Sequence, residues 1–372
     1  MEKSGAVEGS PVKGAVKPET RDAERRPGGG PDLTLADVAR RAGVSPMTVS
    51  NVINGRPGVR PATRQRVLDA VAATGYRVNP MARALAGGRS RMLSVFTPQL
   101  NRPYAAEVVQ GAAQAAEELR YDLVVVMRSG GGGADLSLMA RLSAGALLIQ
   151  PSAGDWPRRA ELPPHLVSVD GPGERVLGAD NSGGARQATA HLLALGHTRI
   201  GLITGLLSEP QGPQTGRDDA AERLRGYGDT LREAGLDPES YVRHGDYTQE
   251  SGARAARELL ALSPPPTALF AAGDAMALGA LHAAQDLGFR VPQDLSVVGF
   301  DDLPIAAAAR PALTTVRQPL RRMGEVAVQL LVALAEGETP APPLPFPTEF
   351  VIRESSGPAP TGAARRGRRS QD

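Results

Sequence analysis

Asn51 carries a carboxamide that can donate and accept side by side, the pairing that matches adenine's major-groove edge, and Met47 carries a methyl able to touch the thymine methyl. Both lie in PMTVSNVI, where Val49, Val52 and Ile53 recur at helical spacing. That periodicity turns Pro46, Met47, Ser50 and Asn51 away from any core, with short side chains close to the helix start, where a recognition helix approaches bases. Phosphate chemistry is close by. Between Thr34 and Arg91 stand ten arginines against Asp37 and Asp69, a net charge of +8, while the whole chain carries +2. A segment so much more basic than its molecule is the footprint of a polyanion partner, since a merely solvated face mixes signs.

The elements that would position these groups have clear punctuation. Thr34 is a good N-cap, and Asp37 three residues on can complete a capping-box exchange. Leu35, Val38, Ala39 and Ala42 then form one apolar stripe, and Gly43 can end the helix in the left-handed conformation. Ser45-Pro46 restarts it as N-cap and N1, and Asn54-Gly55 stops it. Two short helices about a glycine turn make a helix-turn-helix. A third helix is expected over Pro61 to Thr74, with Val67, Leu68, Val71 and Ala72 closing the small core and Arg64 or Arg66 available for phosphate.

At 372 residues the chain can hold two or three domains. It has no cysteine, which removes disulfides and thiolate metal sites. No apolar run fits a signal peptide or a membrane span, so a cytoplasmic location is expected. Residues 1–31 and 356–372 are aperiodic and rich in Gly, Pro and charge, the composition of disordered tails. No GxSxG, HExxH or P-loop pattern occurs, and His165, His191, His197, His244 and His282 lack zinc spacing, so no catalytic residue, metal or cofactor is expected. The glycine run MRSGGGGAD does not have P-loop spacing either.

From Met92 the pattern changes. Short apolar runs at Leu93 to Phe96, Leu123 to Met127, Ala146 to Ile149, Leu166 to Val169, Ile200 to Ile203, Ala268 to Ala271 and Leu295 to Phe300 alternate with helix-length segments such as Tyr104 to Leu119. Such alternation predicts parallel sheets covered on both faces. Ligands of these folds sit beyond the carboxyl ends of strands, which puts Pro98 to Tyr104, Ser129, Asp170, Gly205 to Leu207, Gly273-Asp274 and Asp301-Asp302 in view.

The run LADVARRAGVSPMTVSNVING, followed by VRPATRQRVLDAVAATGYRVNPMARALAGGRS, resembles the amino-terminal segment of LacI/GalR-family transcriptional regulators. The resemblance continues through ADNSGGARQATAHLLALGHTRIGLITG, ALFAAGDAMALGAL and LSVVGFDDLPIAAAARPALTTVRQP. It implies an all-α helix-turn-helix domain over 32–78, a hinge helix and linker over 79–91, and a two-lobed α/β periplasmic-binding-protein-like effector domain over 92–355. One lobe would comprise 92–196 with 317–334, the other 197–316 with 345–355, joined by three strand crossings.

The same resemblance implies the function: a sequence-specific DNA-binding regulator, more often repressor than activator, homodimeric, with operator affinity set by a small-molecule effector, a sugar or related metabolite, in the interlobe cleft. The candidate DNA-binding residues are Thr34, Ser45, Pro46, Met47, Thr48, Ser50, Asn51, Asn54, Arg64, Arg83 and Leu85, the last as a minor-groove wedge. The candidate effector-binding residues are Tyr104, Asp170, Arg223, Tyr247, Asp274 and Asp301, with Arg225 the surface-facing alternative to Arg223. One departure matters: the family usually has Asn where this chain has Gly273. A solute-binding receptor without regulatory role is the alternative, against which the helix-turn-helix counts, and an α/β enzyme is the second.

Overall fold

The computed structural model describes residues 33–77, 90–98, 100, 102–127, 137–149, 162–171, 175–207 and 218–361. The chain divides into two compact units, Met1–Asn79 and Pro80–Asp372.

The first unit holds three helices, α1 (Leu35–Ala42), α2 (Pro46–Ile53) and α3 (Pro61–Thr74). Thr34 and Asp37 form the complete capping box, and Gly43 ends α1 at φ 63. Ser45 caps α2 by accepting from the Thr48 amide, with Pro46 in the first turn. Val38, Ala39, Ala42, Val49, Val52, Val67 and Ala70 make one small core. Leu68 and Ala72 were expected in it and are exposed. The phase of α3 explains the correction: Val67, Ala70 and Val71 follow the i, i+3, i+4 face, and Leu68 is turned about 100° off it.

The second unit is two lobes. In the first, β1 (Met92–Thr97), β2 (Asp122–Met127), β3 (Gly145–Ile149), β4 (His165–Val169) and β5 (Val176–Leu177) form a parallel sheet in the order β2-β1-β3-β4-β5. It is covered by α4 (Pro103–Glu118), α5 (Ser137–Leu142) and the late helix α11 (Leu320–Glu336). Helices α4 and α11 cross closely because a Cβ on Gly111 would meet the Arg321 carbonyl at 1.9 Å and one on Gly324 the Val108 carbonyl at 2.0 Å.

In the second lobe, β6 (Ile200–Thr204), β7 (Val242–His244), β8 (Ala268–Ala271) and β9 (Ser296–Val298) form a parallel sheet in the order β7-β6-β8-β9. Its helices are α6 (Asn181–Ala194), α7 (Asp219–Glu233), α8 (Gln249–Leu260), α9 (Asp274–Asp286) and α10 (Pro304–Ala308). The antiparallel pair β10 (Thr315–Arg317) and β11 (Glu349–Val351) completes it. All seven apolar runs are strands. The two-residue β5 and the polar β7, β10 and β11 are too short or too mixed to stand out by periodicity.

The lobe boundary differs from expectation. Helix α6 was assigned to the first lobe, yet Ala185, Ala188 and Leu192 pack with Ile200, Tyr227, Phe270 and Phe300 of the second. Its apolar face is the one that decides, and that face meets α7 and not α4. The chain therefore crosses first at Asp180, whose amide donates to the Phe346 carbonyl of another crossing segment. The third crossing leads from Arg317 through Gln318 into α11.

Candidate functional site

In the first unit, α2 presents a graded surface. Met47 is 67 % exposed, and Ser50 and Asn51 are half-buried beside it. Pro46 and Asn54 are exposed and Thr48 is half-buried. Several candidates also hold α2 in shape. Ser45 Oγ and Thr48 Oγ1 share a hydrogen bond of 2.9 Å, and Asn54 Nδ2 donates to Ser50 Oγ at 3.3 Å. The Thr34 hydroxyl donates to Asp37 Oδ2 at 2.7 Å, holding the Asp37 carboxyl below its ordinary range, so Thr34 acts first as a cap.

Arg64 corrects a simpler expectation. Its guanidinium is turned back on the backbone, Nη2 donating to the Arg56 carbonyl at 2.8 Å and Nη1 to that of Val52 at 3.4 Å. It satisfies a carbonyl in the last turn of α2 and braces the chain as it leaves. Arg66, Arg60 and Arg56 stand exposed instead. Arg83 and Leu85, with the proposed hinge helix, lie outside the described residues, as do Ser129 and the glycine run.

In the second unit the remaining candidates gather at the carboxyl ends of the two sheets. Tyr104, at the start of α4, donates its hydroxyl to Asp170 Oδ2 just beyond β4. Asp170 has φ 49, an uncommon conformation for a residue with a side chain. Both belong to the first lobe.

Across from them Arg223 on α7 is 3 % exposed, while Arg225 is exposed. Arg223 Nε donates to Asn181 Oδ1 at 2.8 Å and Nη1 to the Ala272 carbonyl at 2.6 Å, and the guanidinium carbon lies 4.0 Å from the Phe300 ring centroid. Asn181 is itself held by donating Nδ2 to Asp219 at 3.0 Å. Burial works to discharge Arg223, but Asp301, Tyr247, Asp219 and Asp170 outweigh it and raise its pKa. Asp170 thus acts electrostatically on Arg223 from the opposite lobe.

Asp301 follows β9 at φ 113, with Oδ1 accepting from Gln318 Nε2 at 2.7 Å and 3.8 Å from Arg223 Nη1. Burial pushes its carboxyl up to about 6, with Arg223 the main opposing influence. Tyr247, at φ 65, lays its ring against Gly205 and Gly273, and burial raises its hydroxyl pKa.

Asp274 does not join them. It is fully buried, its Oδ1 accepts from Thr315 Oγ1 at 2.6 Å and its Oδ2 from the Leu303 amide at 2.7 Å. Both oxygens are spent on tying α9 to β10 and α10, and burial together with Asp301 holds the carboxyl well above its ordinary pKa. The expectation of an effector contact there is corrected to a structural tie.

Sequence reasoning passed over Asn181, Gln318 and Thr204. Gln318 Oε1 and Thr204 Oγ1 are buried and have no hydrogen-bond partner among the described residues. Asn181 and Gln318 sit inside recognisable motifs, but nothing in their spacing says that they orient Arg223 and Asp301. Among the described residues no group of His, Asp and Glu could hold a metal ion, and no helix is long and apolar enough to cross a membrane.

Comparison with known proteins joins the two sites. Residues 34–79 match the model of bacterial regulatory proteins of the lacI family, and 189–356 that of the periplasmic binding protein-like domain. The chain is 37 % identical over 342 residues to the HTH-type transcriptional regulator CelR of Thermobifida fusca, covering 87 % of this chain and 98 % of that one. Catabolite control protein A of Priestia megaterium is 33 % identical over 319 residues, 83 % of this chain and 94 % of its own. Among solved structures, the lac repressor dimer bound to operator and an anti-inducer superposes with TM-score 0.73 at 30 % identity, covering 87 % of this chain and 99 % of that one. A CelR–cellobiose complex does so with TM-score 0.62 at 34 % identity, covering 87 % and 100 %. With a basic helix-turn-helix ahead of a two-lobed α/β domain, and relatives matched along nearly their whole length, this chain belongs to the LacI family of DNA-binding transcriptional regulators.

Proposed function

We propose that this regulator is a homodimeric repressor whose operator affinity is set by a carbohydrate bound between the two lobes. The observation that carries the ligand class is the donor and acceptor set of the cleft: Asp170 and Asp301 accept hydrogen bonds, Arg223 can grip vicinal hydroxyls, and Tyr104 and Tyr247 supply ring surface. The cellobiose bound by CelR supports the same class. The dimer rests on the lac repressor dimer and on symmetry: two helix-turn-helix units read a pseudo-palindrome with multiplied specificity.

On the DNA side, Met47, Ser50 and Asn51 read base edges while Arg56, Arg60 and Arg66 contact phosphate. Ser45, Thr48, Asn54 and Arg64 keep α2 in place, and Thr34 caps α1. Regulation then takes place in the cytoplasm, where operator DNA is. A sugar moves the equilibrium only by binding one lobe arrangement more tightly than another. The test is to select DNA with the purified full chain, then screen mono- and disaccharides for release of the selected site. Failure of every sugar, with release by an unrelated metabolite, removes the carbohydrate reading; failure to select any DNA removes the regulator's recognition set.

A further inference from the structure

Phe300 is followed by two aspartates, and nothing in the order of residues says which of them serves the effector. The backbone separates them. Asp301 has φ 113 and Asp302 φ 56, so two residues with side chains stand in succession at positive φ, an arrangement that persists only where the surroundings hold it. Asp301 keeps Oδ1 at 3.8 Å from Arg223 Nη1. Asp302 has other partners: its Oδ2 accepts from Arg317 Nε at 2.7 Å and its Oδ1 from Arg353 Nη2 at 2.6 Å.

Those two arginines belong to the strands by which the chain leaves and re-enters the second lobe. Arg317 ends β10, immediately before Gln318 leads toward α11, and its Nη1 also donates to Glu349 Oε2 at 2.8 Å, at the start of β11. Arg353 follows β11 and gives its Nη1 to the Leu313 carbonyl at 2.8 Å, ahead of β10. The contacts close a ring: Asp302 holds Arg317, the next residue Gln318 donates Nε2 to Asp301 Oδ1 at 2.7 Å, and Asp301 precedes Asp302. The Asp301 amide donates to the Val316 carbonyl at 2.7 Å beside it. Shielding ranks the two pairs. The Asp302 side chain is 8 % exposed, that of Arg353 19 % and that of Arg317 46 %, so solvent screens the Arg317 pair more, and Arg353 is the partner whose loss strands a buried carboxylate.

We propose that Asp302, gripped by Arg353 and Arg317, is a positioning residue for effector recognition: it holds the strained loop that aims Asp301 at Arg223 and fastens that loop to the strands crossing between the lobes. Asp302 itself does not touch the effector. Its grip makes Asp301 one body with the crossing strands, so a ligand that engages Asp301 acts directly on the segments that join the lobes. This rests on the reading of the interlobe cleft as the effector site.

The test uses the full-length protein. Asp301's own share of the pH dependence of thermal unfolding, between about pH 4 and pH 6, is the difference between each protein and its Asp301→Asn counterpart. Asp302→Ala removes the grip and keeps a side chain at positive φ, so the loop should relax, water should reach Asp301, and that share should fall by about half or more. Asp302→Asn tolerates this backbone and keeps one acceptor, and should restore most of it. Arg353→Ala should reproduce the loss but add little in an Asp302→Ala background. Arg353→Lys, whose ammonium lacks the fork that reaches both Asp302 and the Leu313 carbonyl, takes the place of Asp302→Ala should that variant fail to fold. In calorimetric titrations with cellobiose, maltose and glucose as probes, Asp302→Ala should weaken the tightest probe about tenfold or more and Asp302→Asn about threefold or less. A lowered melting temperature with Asp301's share unchanged, which is what a merely structural residue would give, overturns the proposal, as does an unchanged probe affinity. If the wild type binds none of the sugars, the carbohydrate reading fails, and the pH profile alone decides whether Asp302 positions Asp301.

Discussion

Arg223 has five N–H donors, of which hydrogen bonds to Asn181 and the Ala272 carbonyl use two, from Nε and Nη1; in the proposed function the effector takes up donors among the other three. Arg223→Ala should therefore keep operator binding within about twofold while abolishing release by the effector, measured by fluorescence anisotropy of labelled operator; release at the wild-type concentration would remove Arg223 from the site. Asp301 offers a second handle. Its pKa is raised to about 6, so the folded state holds a proton that the unfolded chain gives up near its ordinary value of 3.8. Stability attributable to this group is therefore highest at low pH and falls as pH rises from about 4 through 6, by up to roughly 3 kcal/mol, and is flat above. Asp301→Asn should flatten that portion of a pH profile of thermal unfolding, and an unchanged slope would refute the assignment. Arg64 is decided by salt. A phosphate contact contributes about 0.9 to the slope of log K against log salt, so Arg66→Ala should reduce the slope by about that much. Arg64→Ala should leave the slope and lower the ratio of specific to nonspecific affinity instead.

At the scale of elements, α2 shows how little sequence is needed to place a reading surface. Ser45 starts it, Pro46 suits its first turn, and Arg64 reaches from α3 to its last. Ser45→Ala should destabilise the first unit by about 1 kcal/mol and weaken specific DNA binding without altering sugar affinity, read from thermal unfolding and two titrations. A loss of sugar affinity would contradict the separation of roles. Helices α4 and α11 make the opposite point. They come from residues more than two hundred positions apart, and only their shared glycine-lined crossing, with the exposed Arg321–Glu107 pair at 2.6 Å beside it, returns the chain to the first lobe. The exposed pair adds little; the close crossing is what orders the element.

For the whole molecule, the small core of the first unit and the larger cores of the second belong to separately compact bodies. Differential scanning calorimetry of the full chain should resolve two transitions, with selected operator DNA raising that of the first unit and sugar that of the second. A single transition raised by either ligand alone would show the units to be one cooperative block.

Helix boundaries in the first unit, the seven main strands and the likeness to a regulator family were legible because they depend on local physics: caps, glycine stops and periodic burial act over a few residues, and Ser45-Pro46 or Ala268 to Ala271 carry their meaning within themselves. Legible, too, was the rule that ligand residues follow strands, which brought Asp170, Gly205, Gly273 and Asp301 forward together. What needed the tertiary structure was where each polar atom is spent. Asp274 and Asp301 look alike in sequence, yet one carboxylate is used up by Thr315 and Leu303 and the other lies within reach of Arg223. Helix α6 chose its lobe by the partner for its apolar face, and Gly273 became intelligible only with the Tyr247 ring lying against it. Those outcomes turn on contacts between distant segments, and a contact is a property of two positions in space that neither residue type encodes alone.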